Sequence, residues 1–585
     1  MLRPLTAWLP TGVRRNLALG GLGVLAAAPG GSRLIEFLGH MSPEPCLRTS
    51  LLDRQLMSPV GLAADLDPEG AALRAFARFG VGFVEVDVDA LASIDARRIQ
   101  GLSLWARVTV RDDRHSLLEL ETALGAARGV DALSVTVVDG SAAQVPGDAR
   151  LWRSLVTLAR QHGITAVLAD VPIDDSRTMG ETAVRCGAAG IVLRGQSDSP
   201  DAPGLISTAR QEFPRPVVIV AACGAESPRE IVASIQAGAD LVALGRGITE
   251  AGPGLPKRAN EALAALRCPQ APPPRAIAFN SGWVWALFLG LGMLIAGSVV
   301  WWVGATRVVL PYDLVFLGLN RDALAGINPR LLGFMEHDRI TLAGTLISIG
   351  LLYASLAWNG MRRGWRWSKR ALAASGAVGF ANLFLFLGFH YVDPLHIALS
   401  AGLFPLFALA FLLQTPRIVH PSRDLDNDSA WRLGLTGQLF FIGLGVGLVV
   451  AGITISAVGI TSVFVFSDLQ FLQTTAVSLS NANAHLLPLI AHDRAGFGGA
   501  LASDGVAVTL IALWGFRRGE RWIWWTLLLA GLAGLLSGIY AHIAVGYLEF
   551  GHLFPVFVSG VVFILGLGFS GPFLLTRSPA EVSSS

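Results

Sequence analysis

Two copies of a His-Asp-Arg tripeptide are the residues whose types and spacing most directly suggest chemistry in this sequence. His337-Asp338-Arg339 is followed 155 residues later by His492-Asp493-Arg494. Imidazole titrates near neutral pH and binds borderline metals, and an adjacent carboxylate offers an oxygen ligand or a proton acceptor. The tripeptides therefore indicate a metal or proton-relay site. In the structural alternative, each aspartate pairs with the arginine that follows it.

Further histidines and acidic residues fall, like the two tripeptides, near the predicted outer boundary of the membrane. Asp393-Pro394-Leu395-His396 and Glu549-Phe550-Gly551-His552 match at a spacing of 156 residues, and both could face the tripeptides. The candidate metal ligands are His337, Asp338, His396, His492, Asp493, Glu549 and His552. Haem is a further candidate for these histidines, and hydrogen bonds to loop carbonyls are the structural alternative.

Asp504 is a separate candidate, because it lies near the middle of a predicted membrane span where an ionised carboxylate is costly. The residue 155 positions earlier is Ile349, so any role of Asp504 is performed once per chain. The position predicts a protonated side chain or a polar cavity shared with Asn382 or Gln438. A transporter would need such an ionisable group.

The elements that must position these residues are long apolar segments. Each is long enough to cross a hydrocarbon core of roughly 30 Å. Eight spans are predicted, at about 281–305, 340–360, 371–390, 397–414, 433–455, 495–516, 522–542 and 553–576. The lipid bilayer is therefore an expected partner, and the protein is expected to be a multi-pass protein of the plasma or inner membrane.

Basic residues are concentrated in the loops that follow the second, fourth and sixth spans. These residues are Arg362, Arg363, Arg366, Lys369, Arg370, Arg417, Arg423, Arg432, Arg517, Arg518 and Arg521. Basic loops remain in the cytoplasm, so both termini and the first 270 residues are predicted to be cytoplasmic.

The membrane half also contains a predicted internal duplication. Asn328-Pro329-Arg330-Leu331-Leu332 matches Asn483-Ala484-His485-Leu486-Leu487 at the 155-residue spacing, and so do the segments 362–367 and 517–522. Several matches at one spacing indicate a repeated unit. We expect two four-span repeats, at 281–432 and 433–577, with a short tail at 578–585. An even number of spans gives both copies the same orientation.

The first half has the composition of a soluble domain with parallel strands. Short β-branched runs such as 132–138, 189–193 and 217–220 alternate with helical stretches, which favours a parallel sheet covered on both faces. A barrel and a doubly wound sheet both fit this pattern. A proline-rich linker is predicted at 268–280, and residues 1–45 are predicted to form a membrane-interfacial helical region.

Composition excludes some classes of partner and structure. The chain has 585 residues, of which 52% are hydrophobic and 15% charged, and its formal net charge of +2 indicates no nucleic-acid partner. Its four cysteines form no C-x-x-C pair and all precede the first span. This distribution predicts no disulfide framework and suits a reducing cytoplasm.

Segments of the first half resemble the membrane-associated, quinone-dependent class of dihydroorotate dehydrogenase. The resemblance is carried by Ser58–Gly70 with Phe79–Val86, and by Val217–Gly224, Ala237–Gly247 and Ala251–Leu255. It implies a (β/α)8 barrel over 46–267, an FMN cofactor and a quinone partner. The phosphate of FMN would lie near Cys223, Gly224, Arg246 and Gly247, at the turns after the last two strands.

The catalytic positions depart from that family's pattern. Pro68 replaces the lysine of the first motif, Asp170 replaces a flavin-contacting lysine, and Arg194-Gly195-Gln196 replaces the stretch that binds orotate. Val138-Asp139-Gly140 occurs where an asparagine and the catalytic serine are expected, and the substrate loop is absent. Without a general base, the hydride transfer loses its proton acceptor.

The sequence therefore predicts a barrel that keeps its architecture without the usual catalytic residues. It would serve as a phosphate-ligand-binding, sensing or scaffolding domain for the membrane half. The alternative is an FMN-dependent oxidoreductase that acts on CH–CH groups and passes electrons to quinone. A transporter is the further alternative.

Overall fold

The computed structural model describes residues 8–39, 41–51, 53–67, 70–93, 102–111, 114–126, 129–164, 166–195, 201–245, 247–268, 279–413 and 424–576. The chain forms two compact units. The first comprises residues 2–270 and 419–429, and the second comprises residues 271–418 and 430–585. Arg246, most of the predicted linker and the predicted tail lie outside the described residues.

The first unit contains a closed barrel of eight parallel strands, which confirms the predicted barrel and excludes the doubly wound sheet. The barrel strands are β3 (Val60–Leu62), β4 (Phe83–Asp87), β5 (Ser103–Arg111), β6 (Ala132–Val138), β7 (Ala166–Pro172), β8 (Gly190–Arg194), β9 (Val218–Ala222) and β10 (Leu241–Leu244). They follow a small antiparallel hairpin of β1 (Thr49–Leu51) and β2 (Arg54–Leu56). Each barrel strand pairs with the next, and β10 closes on β3.

Helices surround and precede this barrel. They are α1 (Thr11–Ala27), α2 (Gly31–Gly39), α3 (Leu73–Phe76), α4 (Arg114–Ala126), α5 (Ala149–Gln161), α6 (Ser176–Arg185), α7 (Ala202–Glu212), α8 (Pro228–Gln236), α9 (Gly247–Ala251) and α10 (Leu255–Arg267). The axes of α1 and α2 are bent by 119° at their junction.

Large apolar side chains fill the barrel interior near the amino ends of its strands. Phe83 of β4 stacks on Trp105 of β5, with ring centroids 4.0 Å apart. A Cβ at Gly61 would lie 2.3 Å from the Phe83 ring, so glycine is required at that position of β3. Because side chains alternate along a strand, the next inward-facing residues of β4 and β5 are Glu85 and Arg107. The interior is therefore apolar near the amino ends of the strands, at Phe83 and Trp105, and polar near their carboxyl ends, at Glu85 and Arg107.

The structure joins Cys46 and Cys268 in a single disulfide, a pairing that the cysteine distribution, which predicted no disulfide framework, did not indicate. Their Cα atoms are 5.7 Å apart, although 222 residues separate them in the sequence. They flank the barrel at its two ends in the chain, so no local spacing could indicate the pairing. Cys186 and Cys223 are free thiols.

The second unit is helical. Its helices are α11 (Gly282–Thr306), α12 (Pro311–Leu317), α13 (Arg321–Ile327), α14 (Leu331–Ser355), α15 (Arg366–Leu385), α16 (Pro394–Leu412), α17 (Ser429–Ile460), α18 (Phe466–Leu472), α19 (Ala476–Ala482), α20 (Leu486–Gly515), α21 (Arg521–Val545) and α22 (Phe550–Leu574). The first residue of α17 belongs to the first unit.

Seven helices among the described residues are long and apolar enough to cross a membrane, against the eight predicted. They are α11, α14 with its extension to Arg363, α16, α17, α20, α21 and α22. The predicted span at 371–390 corresponds to α15, which has the length but not the apolarity, because it begins with several basic residues and is rich in Ala, Ser and Gly. The number rises to eight only if the bent pair α1 and α2 counts as one span.

Local structure recurs in the second unit at the spacing from which the sequence predicts a duplication. The short helices α12 and α13 begin 155 residues before α18 and α19. Val308 and Val463 have unusual positive φ values of 61° and 64°. Asp313 and Asp468 each accept a hydrogen bond at 2.8 Å from the backbone N–H three residues earlier.

Candidate functional site

Three charged side chains meet inside the barrel near the carboxyl ends of its strands. Arg194 of β8 donates from Nη2 to both carboxylate oxygens of Glu85 on β4, at 2.7 and 2.8 Å. Its Nε donates to Asp170 of β7 at 2.5 Å. The strands β4 and β8 lie on opposite sides of the barrel. Arg194 therefore bridges the interior at the end where barrel enzymes bind substrate.

Glu85, Asp170 and Arg194 are largely removed from water, so their charges are costly unless they are paired. Glu85 and Asp170 are 3% and 4% exposed. Burial alone would raise the pKa of Glu85, but the charge and hydrogen bonds of Arg194 outweigh it and hold that pKa below its ordinary value. Burial raises the pKa of Asp170, and Arg194 offsets this only in part. One guanidinium is thus shared by two carboxyl groups.

The residues predicted to bind phosphate lie at two neighbouring turns. Gly224 has a φ of +71°, which favours glycine, and a Cβ at Gly247 would lie 2.5 Å from the carbonyl oxygen of Ala225. A Cβ at Gly245 would lie 2.7 Å from a carboxylate oxygen of Asp65. Close backbone packing therefore explains Gly247 without a ligand, and phosphate binding stays a prediction. Arg246 is outside the described residues.

Cys223 is held as an unreactive thiol. Its Sγ donates to the carbonyl oxygen of Leu193 at 3.5 Å. Burial raises the pKa of Cys223 to about 12. The thiolate is the nucleophilic form, so this side chain is not a nucleophile at neutral pH.

The donor set at the barrel mouth does not fit the flavin that the sequence resemblance implies. A flavin that accepts hydride gains negative charge on its ring, and nearby lysine or arginine side chains favour that state. In the sequence resemblance Asp170 stands at the position of a lysine, and the arginines described at this mouth are already paired, Arg194 with Glu85 and Asp170 and Arg107 with Asp87.

The second unit brings three histidines together. One ring nitrogen from each of His337, His542 and His552 lies within 4.8 Å of the other two. The Nε2 atoms of His337 and His542 are 3.1 Å apart. These residues come from α14, α21 and α22, and the first two are almost fully buried. Of the predicted ligands, the structure therefore places His337 and His552 in one group.

Each of these rings is also fixed through its Nδ1 atom. His337 Nδ1 is 3.0 Å from a carboxylate oxygen of Asp338, and His542 Nδ1 is 2.7 Å from the carbonyl oxygen of Gly538. His552 Nδ1 is 3.2 Å from the hydroxyl of Tyr547. Asp338 thus orients a ring in this cluster, whereas the sequence pattern suggested that it was a direct ligand.

His396 and His492 form a second, separate pair. His396 Nδ1 lies 3.2 Å from His492 Nε2, and His396 Nε2 donates to the carbonyl oxygen of Leu383 at 2.8 Å. The four histidines among the seven predicted ligands therefore fall into two groups, His337 with His552 and His396 with His492. Glu549 belongs to neither, because it caps α22 by accepting hydrogen bonds from the backbone N–H groups of Gly551 and His552.

Arginine and aspartate of the two tripeptides pair crosswise. Arg339 binds Asp493 at 3.2 Å, and it also binds Asp313 at 3.0 Å. Arg494 binds Asp338 at 3.0 Å and Asp468 at 2.5 Å. The structural alternative, in which each aspartate pairs with the next residue, is wrong. Asp493 therefore pairs with Arg339 and is not a member of either histidine group.

Asp504 is buried, but it makes no hydrogen bond with its predicted partners. Its Oδ1 accepts a hydrogen bond from Ser348 at 2.9 Å. Asn382 donates instead to the carbonyl oxygen of Gly496, and Gln438 donates to that of Ala512. Neither amide is hydrogen-bonded to Asp504, and a cavity shared with Asn382 or Gln438 stays a prediction.

An elongated cavity lies within the second unit. Most of its wall is apolar and comes from α11, α14, α15, α16 and α20, with residues such as Met293, Leu346, Phe380 and Leu403. Polar residues line it as well: Tyr312, Arg339, Asp393, His396, His492 and Asp493. This arrangement suits a ligand with an apolar body and a polar head.

Sequence reasoning missed two features of these sites. His542 was not among the predicted ligands, because the residue 155 positions earlier is Leu387 and the duplication gives no signal there. The bridge from Arg194 to Glu85 joins residues 109 positions apart. Charged residues at the carboxyl ends of predicted barrel strands were the available signal for it.

Three similar solved structures each cover less than half of this chain. No family model matches it. The chain is similar to ligand-free DHODH from Eimeria tenella, with 15% identity over 40% of this chain and 93% of that chain and a TM-score of 0.32. It is also similar to the Eimeria tenella DHODH in complex with ferulenol, with 14% identity over 46% and 95% of the two chains and a TM-score of 0.35. A protein described as a lactate oxidase, from Pediococcus acidilactici, matches with 18% identity over 43% and 86%, and a TM-score of 0.29.

Proposed function

We propose that this chain is an integral membrane protein whose barrel is a non-catalytic scaffold for the membrane half. The observation that carries the proposal is a segment of the first unit, Asp424–Asn427, which joins α16 to α17 in the sequence. This segment is bound by α8 and α10 of the barrel unit. The barrel thus holds the chain at the point between the two predicted membrane repeats.

The segment is bound mainly through arginines. Arg258 of α10 contacts Asp424 at 2.9 Å and donates to Asn427 at 2.7 Å. Arg229 of α8 binds both carboxylate oxygens of Asp426, at 2.6 and 2.8 Å. The Arg258 and Asp424 side chains are only 12% and 9% exposed. Removing one partner of this pair should therefore cost more free energy than removing one partner of the solvated Arg229 pair.

The barrel mouth supports a role without redox catalysis. A hydride transfer from carbon needs a side chain that takes the substrate proton. Glu85 is bound by Arg194 and buried, and the Cys223 thiol is protonated at neutral pH. The bridge also spans the barrel interior at the carboxyl ends of the strands, the end at which barrel enzymes bind substrate. Binding of a phosphate-bearing ligand by the turns at Gly224 and Gly247 is compatible with this scaffold.

We place both termini and the barrel in the cytoplasm, with the protein in the plasma or inner membrane. This placement requires an even number of spans, so in this proposal α15 crosses the membrane together with the seven more apolar helices. The support is the basic loop after α14, with Arg362 and Arg363, and that after α20, with Arg517 and Arg518.

Hydrogen exchange of residues 424–428 in the detergent-solubilised full-length protein tests the scaffold proposal. In Arg258→Glu, the segment faces a carboxylate, so its amides should exchange at least about tenfold faster, as expected for a loss of about 1.4 kcal/mol or more. Arg160→Glu, on the exposed face of α5, is the control and should leave the segment unchanged. Adding Asp424→Arg to Arg258→Glu should restore protection. Equal exchange in wild-type and Arg258→Glu protein contradicts the proposal.

A second candidate function is binding of a quinone-like ligand by the second unit, and the cavity favours it. Gly496 lines the cavity, and a Cβ at this position would meet open space. Gly496→Leu should therefore fill the cavity and weaken binding of decylubiquinone about tenfold or more. Gly447 also has open space for a Cβ but does not line the cavity, so Gly447→Leu is the matched control. Equal affinity in both variants contradicts this candidate.

A further inference from the structure

The hydrogen bonds around the three-histidine cluster determine where each ring carries its proton. The carbonyl oxygen of Gly538 can only accept, so His542 Nδ1 is the protonated nitrogen of that ring. Asp338 is paired with Arg494 and is therefore an ionised acceptor, so His337 also donates from Nδ1.

The third ring follows the same logic through a tyrosine. The hydroxyl of Tyr547 donates to Asp468 at 2.9 Å, and Asp468 is itself paired with Arg494. The hydroxyl proton is thereby committed, so the Tyr547 oxygen accepts the hydrogen bond from His552 Nδ1; the Ser467 hydroxyl is a second, longer contact of this nitrogen at 3.5 Å. With Nδ1 as the donor in each ring, Nε2 is the atom of each histidine that can offer a lone pair to a ligand.

We propose that these lone pairs bind one transition-metal ion. The Nε2 atoms of His337 and His542 are 3.1 Å apart, and two lone pairs at that distance repel each other unless a cation lies between them. Metal–nitrogen bonds of 2.0–2.1 Å in tetrahedral geometry place two ligand nitrogens about 3.3 Å apart. The distance therefore matches an edge of a tetrahedral site, with His552 as the third ligand.

The surrounding charge favours a cation. Asp338 and Asp468 share the single guanidinium of Arg494, which leaves one net negative charge beside the rings. A carboxylate that accepts a hydrogen bond from the Nδ1 atom of a metal-binding histidine orients the ring and increases its basicity. Asp338 stands in this relation to His337. Asp338, Asp468 and Arg494 therefore have the arrangement expected of residues that orient the histidine ligands of a metal ion.

The chemistry of the ligands narrows the class of metal. Three neutral imidazoles without a thiolate suit Zn²⁺, Cu²⁺ and similar late first-row divalent ions. The related pair, His396 and His492, lacks a third histidine because Leu387 occupies the position that corresponds to His542. The proposal therefore assigns one ion per chain. It is independent of the barrel and of its scaffold role.

Metal binding to the full-length protein in detergent provides the test. Protein stripped with a chelator is titrated with Co²⁺, followed by visible d–d absorption, and with Zn²⁺, followed by elemental analysis. We expect one ion per chain in the wild-type protein. His542→Leu and His552→Leu should each reduce affinity at least about 100-fold, because two imidazoles remain. His396→Leu removes the histidine that corresponds to His552 in the other pair, so it should bind like the wild-type protein.

Each outcome decides the proposal. Loss of the ion in either cluster variant, with a monodisperse protein and retention in His396→Leu, supports it. No bound ion in the wild-type protein overturns it and indicates a proton shared between His337 and His542. Unchanged binding in a cluster variant, or loss in His396→Leu, also overturns it. If His542→Leu does not fold, the partly exposed His552 provides the deciding variant.

Discussion

Arg494 donates from Nε to the carboxylate of Asp338 at 3.0 Å, although the two residues belong to different predicted repeats. The reciprocal pair, Arg339 with Asp493, is 3.2 Å apart. Each aspartate thus pairs with the arginine of the other tripeptide and not with the arginine that follows it in the sequence. Each predicted repeat thus supplies the counter-charge for the other, which explains why both tripeptides have the same residues.

Replacing Arg494 should destabilise the second unit strongly. Arg494→Met leaves the carboxylates of Asp338 and Asp468 buried without a guanidinium, and breaking such a pair costs about 3–5 kcal/mol. Unfolding of the full-length protein in mixed micelles measures this loss. Arg330→Met is the control, since the exposed Arg330 side chain donates to the backbone carbonyl oxygen of Phe471 and not to a buried carboxylate. Similar stability of the two variants would contradict the crossed pairing.

The barrel bridge predicts a non-additive set of substitutions. Arg194→Met leaves Glu85 and Asp170 buried without their shared partner and should cost about 3–5 kcal/mol. Adding Glu85→Gln and Asp170→Asn removes the uncompensated charges and should recover more than half of that loss. Denaturant unfolding followed by tryptophan fluorescence tests both. A triple variant less stable than Arg194→Met would show that the bridge does not hold these carboxyl groups.

The reactivity of Cys223 should depend steeply on pH. Because burial raises its pKa to about 12, the thiol is protonated at neutral pH, and its alkylation rate should rise about tenfold per pH unit below that value. Iodoacetamide labelling of native protein, analysed by peptide mass spectrometry, gives the rate. A labelling rate that is already constant near pH 8 would contradict the buried thiol. Cys223→Ser should abolish the signal.

The proposed orientation makes a prediction for Cys46 and Cys268. Disulfides are rare in a reducing cytoplasm, so alkylation in intact cells should trap both as thiols, and the pair should close only after oxidation of the isolated protein. Mass spectrometry of peptides from trapped cells distinguishes the two states. A Cys46→Ser variant controls for pairing with another cysteine. A disulfide already formed in the cells would contradict the cytoplasmic placement.

The fold could be predicted from the sequence because its signals are local or periodic. The run 132–138 and similar β-branched segments identified barrel strands, and the length of the apolar segments identified seven of the spanning helices. The 155-residue spacing identified His337 and His492 as candidate site residues. The helix α15 was less predictable, since its basic first turn and small residues lower its apolarity.

The sites could be predicted only in part, because they depend on which helices and strands pack against each other in the folded protein. His542 has no counterpart in the other predicted repeat, and only the packing of α14, α21 and α22 shows that it belongs with His337. The crossed arginine pairs could not be distinguished from adjacent pairs by spacing. The Cys46–Cys268 pair likewise requires the two ends of the barrel unit to meet.

The flavin content of the purified full-length protein, measured together with dihydroorotate-dependent quinone reduction, tests the central claim most directly. The account predicts no flavin absorbance after denaturation and no turnover, because Arg194 bridges Glu85 and Asp170 across the barrel interior. Stoichiometric flavin with sustained dihydroorotate oxidation would contradict it, since a working active site would then exist where the structure has a buried ion-pair bridge.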